Sequence, residues 1–105
     1  PWERAKAFDG SAILSEFITF DGKFDGLKLT CSVNGELRQV GGVEHMIYSP
    51  QEMQKELSTF MTLSDGDVLM TGTPKGVGQI NQGDIFECRL YRHDTLLLSV
   101  EWQAK

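Results

Sequence analysis

The sequence predicts an α+β domain that is mostly β, and three observations lead there. Leu27, Leu29, Cys31 and Val33 alternate with Lys28, Thr30 and Ser32, the period-two pattern of a half-buried strand, and Asn34-Gly35 follows at once. Near the C-terminus, Phe86, Cys88 and Leu90 mark one strand face, and Leu96, Leu98, Val100 and Trp102 mark another. Between these blocks a single segment, near 50–61, carries helical spacing. Five or six strands and one helix are expected.

The elements are justified in chain order. Pro1–Asp9 mixes Trp2 and Phe8 with charges and is expected to be an ordered lead-in. Ala12–Phe20 is apolar and β-prone, so an extended segment is predicted. Phe-Asp-Gly recurs at Phe8, Phe20 and Phe24 with unequal spacing. That reads as Asp-Gly turns, not as a structural repeat. Asn34-Gly35 is a strong hairpin signal because both positions of the turn need positive φ. The return strand Glu36–Val40 fits less well. A strict two-residue loop puts Leu37 on the face of Ser32, which predicts a bulge or a short second strand. Ser49-Pro50-Gln51-Glu52 is a helix start, with a capping serine, proline at the first helical position and a glutamate to complete a capping box. Met53, Leu57, Phe60 and Met61 then share one face, predicted to be buried, with the helix ending near Thr62. Val68–Thr71 reads as a short strand entering a glycine-rich loop, Gly72–Gly78. Asn81–Asp84 reads as a turn, and Arg92–Asp94 as the link of a last hairpin.

Length and charge bound the function. The 105 residues suit one domain or a piece of one, and no composition break divides them. The apolar fraction is 40% and the charged fraction 24%, ordinary for a soluble protein. Fifteen acidic residues outweigh ten basic ones, giving a net charge of -5. The basic residues are scattered from Arg4 to Lys105, so nucleic-acid binding is not expected. No apolar run approaches the ~20 residues that span a bilayer. No signal peptide is visible, which predicts a cytoplasmic protein. Pro1 in place of Met predicts a processed product or a piece of a longer chain. Cys31 and Cys88 lack metal-type spacing. Two free thiols in a reducing compartment is the favoured reading, and the sequence leaves a disulfide open.

Two constellations could carry chemistry. Trp2–Ser11 contains Lys6, either a solvated charge or an ammonium aimed at a carboxylate or enolate oxygen. Gly66–Gly78 runs a strand into a loop that holds Gly72, Thr73, Gly76 and Gly78. Glycines there let the backbone approach a ligand, and successive amides can form an anion-binding nest. The plainer alternative is a loop that needs positive φ at several positions. It is not a P-loop, because Lys75 precedes Gly76 and no Gly-Lys-Ser/Thr occurs. A dinucleotide fingerprint fails as well, since turn residues follow in place of a helix. Glu44-His45 and His93-Asp94 are the adjacent His/carboxylate pairs, and each is expected to be a surface pair rather than a ligand set.

The ordered motifs carry a resemblance. Pro1-Trp2 with Ala5-Lys6-Ala7-Phe8, then Val33–Gln39, Met46-Ile47, and Leu63 through Gly78 with its Thr-Gly-Thr-Pro-Lys-Gly-Val-Gly run, resemble the fumarylacetoacetate hydrolase family. The match covers essentially the whole chain, and residues 1–105 would be the C-terminal portion of a single catalytic domain. The members it is most similar to are the small ones: acylpyruvate hydrolases, oxaloacetate decarboxylases or tautomerases, and the 2-hydroxyhepta-2,4-diene-1,7-dioate isomerases of aromatic catabolism. The resemblance implies part of a mixed β-roll and chemistry on 2-oxo acids through a metal-stabilised enolate. It implies Mg²⁺ (or Mn²⁺) held by three carboxylates, two of them in a Glu-x-Glu pair ahead of the lysine motif. None of these lies within residues 1–105, so no metal ligand and no cofactor are expected on this chain alone, and the isolated chain is expected to be inactive. Carried over residue by residue, Lys6 takes the place of the family's active-site lysine and Thr73 that of a substrate-contacting threonine. Gly72, Gly76 and Gly78 shape the threonine's loop. Relatives often read Ser-Cys-Pro after the lysine motif where this chain has Ser11-Ala12-Ile13. The implied partners are a small 2-oxo acid and either a second copy or the N-terminal half of the domain, with no membrane. A mitochondrial-matrix location is implied for a eukaryotic source. The alternative from another class is a non-catalytic β-rich binding module on the same scaffold.

Overall fold

The computed structural model describes residues 1–105. Its elements in order are α1 (Trp2–Lys6), β1 (Leu27–Val33), β2 (Glu36–Gly42), a 3-10 turn (Val43–His45), α2 (Pro50–Leu57), β3 (Ile85–Arg92) and β4 (Thr95–Gln103). The expected mostly-β α+β class holds. The strands form one sheet of order β2-β1-β3-β4, and every neighbouring pair is antiparallel.

Both hairpins form where the turn residues predict. Asn34 and Gly35 have φ of 50° and 81°, and His93 and Asp94 have φ of 44° and 68°. These are left-handed pairs whose twist matches that of the flanking strands. The predicted bulge is present. Ser32 pairs with Leu37 but Cys31 pairs with Gln39, so Arg38 is the extra residue. A second bulge was not foreseen. Leu90 pairs with Leu98 but Tyr91 pairs with Leu96, which leaves Leu97 as the extra residue. Because side chains alternate strictly, that insertion turns Leu96 to the face opposite Leu98, Val100 and Trp102.

The sheet therefore has one apolar face, with Leu27, Leu29, Cys31 and Val33 of β1 beside Phe86, Cys88 and Leu90 of β3 and Leu98, Val100 and Trp102 of β4. It is half-buried, and no residue of the chain is fully buried. The radius of gyration is 15.1 Å, against about 13 Å for a compact chain of this length.

Three expectations fail. Helix α2 stops at Leu57, short of Thr62. The Ser58 hydroxyl donates to the Gln54 carbonyl at 2.8 Å and the Thr59 hydroxyl to that of Glu56 at 2.7 Å. The chain also tightens there, with Thr59 N–H donating to the Glu56 carbonyl at 3.1 Å and Phe60 N–H to that of Leu57 at 3.2 Å, three residues back in place of four. Phe60 and Met61 leave the predicted buried face and are 69% and 46% exposed. Ala12–Phe20 and Val68–Thr71 form no strands, so the sheet has four strands where five or six were expected. Apolar β-prone residues make a strand only when a neighbouring edge takes their backbone hydrogen bonds, and neither segment lies in the sheet.

Candidate functional site

The glycine-rich loop lies against the apolar side of β2. Gln39 donates from Nε2 to the Thr73 hydroxyl oxygen at 2.8 Å and to the Pro74 carbonyl, also at 2.8 Å. A carbonyl only accepts, so the Gln39 amide nitrogen must point at the loop. Two glycines make the approach possible. A Cβ at Gly41 would stand 3.0 Å from the Pro74 ring. Gly76 has φ of 108°, and a Cβ there would overlap the Arg38 carbonyl oxygen.

Loop, sheet and α2 border an open-sided cavity of about 470 Å³ whose walls include Leu27, Leu29, Met53, Thr71, Gly72 and Thr73. That volume suits a small organic ligand. Lys28, His45 and Tyr48 also border this mostly apolar space. A second cavity of about 330 Å³ lies further along the loop, bordered by Cys31, Arg38, Gly76, Gly78 and Asp84. Asp84 holds this end in shape. It accepts from the Asn81 backbone N–H and the Asn34 side-chain amide at 2.8 and 2.9 Å, and these bonds hold its carboxyl below the usual carboxylate range.

The predicted site residues thus fall in three places. Thr73 and Gly72 share the larger cavity, and Gly76 and Gly78 border the smaller one. Lys6 borders neither. It ends α1, exposed, with Nζ 5.2 Å from the centre of the Trp2 ring. The hydrogen bonds of this region are local, such as Ala7 N–H to Glu3 carbonyl at 2.6 Å and Ser11 N–H to Phe8 carbonyl at 2.9 Å. No hydrogen bond or salt bridge ties α1 to the loop.

Gln39 is the site residue that sequence reasoning missed. It lies inside the quoted Val33–Gln39 motif, but its role needs the Arg38 bulge, which sets Gln39 on the Cys31 face. The two adjacent His/carboxylate pairs are surface groups. His45 Nδ1 lies 3.7 Å from Glu44, and both side chains are exposed. His93 turns to Asp25 at 3.5 Å, and Asp94 turns to Lys28 at 3.5 Å. No three His, Cys, Asp or Glu side chains come close enough to hold a metal ion.

A β-sheet with a glycine-rich loop folded over one hairpin, and a threonine at the cavity wall, offers a pocket of a size suited to a small organic ligand. The family model described as "Fumarylacetoacetate (FAA) hydrolase C-terminal" matches residues 1–100, and the chain belongs to that family. It is 48% identical to the oxaloacetate tautomerase YcgM of Escherichia coli over 87 residues, covering 80% of this chain and 40% of the relative. It is 39% identical to the human mitochondrial oxaloacetate tautomerase FAHD1 over 103 residues, covering 96% of this chain and 47% of the relative. A crystal structure of a fumarylacetoacetate hydrolase family protein from Yersinia pestis superposes with a TM-score of 0.86 at 37% identity, covering all of this chain and 47% of the other. The chain therefore spans less than half the length of these relatives.

Proposed function

We propose that this chain supplies the lysine and the glycine-rich wall of a site acting on a small 2-oxo acid of the oxaloacetate type, within a larger fumarylacetoacetate hydrolase family enzyme. Keto–enol interconversion is the favoured reaction, in keeping with the names of the relatives. Decarboxylation and C–C hydrolysis are related outcomes, since all three pass through an enolate. The observation that carries this reading is the Thr73 hydroxyl, pinned by Gln39 at the wall of the larger cavity.

The chemistry follows from the donors. Gln39 donates a hydrogen bond to the Thr73 oxygen, which leaves the threonine O–H free to donate to a substrate carboxylate. The loop amides around Gly72 can add donors to the same anion. Lys6 would meet the opposite end of the substrate and neutralise charge as the enolate develops. Because it stands apart from the loop in this chain, the reading requires a further protein surface to seat α1. The residues present do not form a metal-donor set, so no step is assigned to a metal. The Mg²⁺ or Mn²⁺ implied by the family would have to be held by carboxylates outside these residues.

The exposed area supports a larger body. The chain exposes 8818 Å², whereas a compact protein of 11.8 kDa exposes about 5,900 Å². The excess is about 3,000 Å², and large apolar side chains are among the exposed residues, with Phe17, Met70 and Ile47 at 84%, 83% and 91% exposure. Another half of the domain, or a second copy, would cover it.

The test is turnover of enol-oxaloacetate by the full-length enzyme, followed by loss of the enol's ultraviolet absorbance. Lys6→Ala and Thr73→Ala are each expected to lower kcat by ~10²–10³, the usual effect of removing one preorganised donor. Turnover of Lys6→Ala within about threefold of wild type would remove Lys6 from the chemistry.

A further inference from the structure

We infer that Cys31 and Cys88 form a redox modification site, in which a low-molecular-weight disulfide oxidises the pair to a cross-strand disulfide tying β1 to β3. The two residues are direct partners in the sheet register. Opposite residues in an antiparallel ladder alternate between hydrogen-bonded and non-hydrogen-bonded pairs, and the second kind brings the Cα atoms closer. The phase of the alternation is fixed at both ends of this ladder. Asn34 N–H donates to the Ile85 carbonyl at 2.8 Å, and His93 N–H donates to the Gly26 carbonyl at 3.0 Å. Both pairs continue the Cys31–Cys88 register, so even-numbered positions of β1 are the hydrogen-bonded ones. Cys31 and Cys88 therefore occupy a non-hydrogen-bonded pair. Their Cα separation should be about 4.5 Å, inside the ~4.4–6.8 Å that a disulfide spans. Both thiols are free and half-buried on the apolar face.

Access to the two sulfurs differs. Cys31 borders the smaller cavity, where the Arg38 side chain is also present to attract an anionic oxidant. Cys88 does not border it. Burial first, and the neighbouring Cys31 thiol second, push the Cys88 thiol up to about 12, which keeps it protonated at neutral pH. Cys31 is thus the attacking sulfur and Cys88 the resolving one. The Cys31 sulfur breaks the S–S bond of the oxidant, forms a mixed disulfide and releases one small thiol. The Cys88 sulfur then attacks the Cys31 sulfur and releases the second. One S–S bond breaks and one forms. Two electrons pass to the oxidant, and the two protein thiol protons end on the two released thiols.

The probe is oxidised glutathione, added to the purified reduced full-length enzyme without oxygen, followed by acid quench, alkylation and peptide mass analysis. In wild type Cys31 and Cys88 should take up no alkylating agent and should appear as one linked peptide, two hydrogens lighter than the reduced pair. C88S should stop at one glutathione adduct on Cys31. C31S should form an adduct at least about tenfold more slowly, as expected for a half-buried thiol that does not line the cavity and is held protonated. Closure of wild type should slow markedly in urea, because the fold is what sets the two sulfurs opposite. The inference is overturned if both wild-type thiols remain open to alkylation, or if the link joins two copies. Equal adduct rates in C31S and C88S, or undiminished closure in urea, would overturn it too. Since the wild-type and urea measurements use no variant, a misfolded substitution cannot decide the question.

Discussion

Gly76 is a position where a side chain has no room. Its φ of 108° is a conformation that L-residues avoid, and the Arg38 carbonyl already occupies the place of a Cβ. Both partners in that overlap are backbone, so neither can swing aside as a long side chain would. Gly76→Ala should therefore cost about 1–3 kcal/mol, the range for strained backbone. Urea unfolding of the full-length enzyme should show it as a lower midpoint at unchanged slope. It should also lower activity beyond the loss of stability, because a displaced loop takes the Thr73 hydroxyl away from Gln39. An unchanged midpoint would mean that the loop can settle elsewhere on β2. Gly72 differs, since a Cβ there meets no other atom and only its φ of 108° favours glycine.

At the scale of elements, carboxylates fasten the ends. Asp21 accepts a forked pair of hydrogen bonds from Arg92, at 2.6 and 3.1 Å, joining the segment before β1 to the end of β3. Glu52 accepts from the Ser49 backbone N–H at 2.7 Å and completes the capping box of α2. Asp84 closes the turn into β3. Each carboxyl is held below its usual range: Asp21 chiefly by the Arg92 hydrogen bond, and Glu52 and Asp84 chiefly by backbone N–H groups. A lowered pKa means that the unfolded chain binds protons first as pH falls. The stability they contribute is complete above the unfolded values of about 4 and fades below them. Urea midpoints measured from pH 7 downward should hold level to about pH 5 and then decline. Asp84→Asn should flatten part of that decline, and an identical slope in the variant would exclude Asp84 as a contributor. The same elements mark what the sequence made legible. Asn34-Gly35, the alternation of Leu27–Val33 and the Ser49–Glu52 box are local signals, and each appears where its own chemistry puts it. The Leu97 bulge is set by pairing between strands and has no such mark. Ala12–Phe20 and Val68–Thr71 have strand composition but pair with neither free edge of the sheet, which composition cannot reveal. For the site, Thr73 and Gly72 were legible through their motif. The expected convergence of Lys6 on them is absent from this chain, where Lys6 ends α1 and borders neither cavity.

For the whole molecule, the decisive quantity is uncovered apolar area. A monomer rarely exposes contiguous apolar patches beyond a few hundred Å², yet one sheet face here is only half covered and β2 and β4 are both open edges. Open edges recruit strands, and apolar faces recruit each other. Excess exposure of about 3,000 Å² exceeds the ~1,600 Å² that a standard specific interface buries in total. Two copies would bury such an area only by pairing extensively, whereas a complementary half-domain would insert strands and cover the face at once. The isolated chain is therefore expected to sediment as dimers or larger species at micromolar concentration. If the proposed larger enzyme is right, co-expression with the complementary half of a family domain should convert it to one discrete complex, with Phe17 and Met70 protected from labelling. Sedimentation of the isolated chain as a stable monomer, with Phe17 and Met70 still exposed, would show that this surface needs no cover. The requirement that another protein surface bring Lys6 to the Thr73 wall would then lose its physical basis.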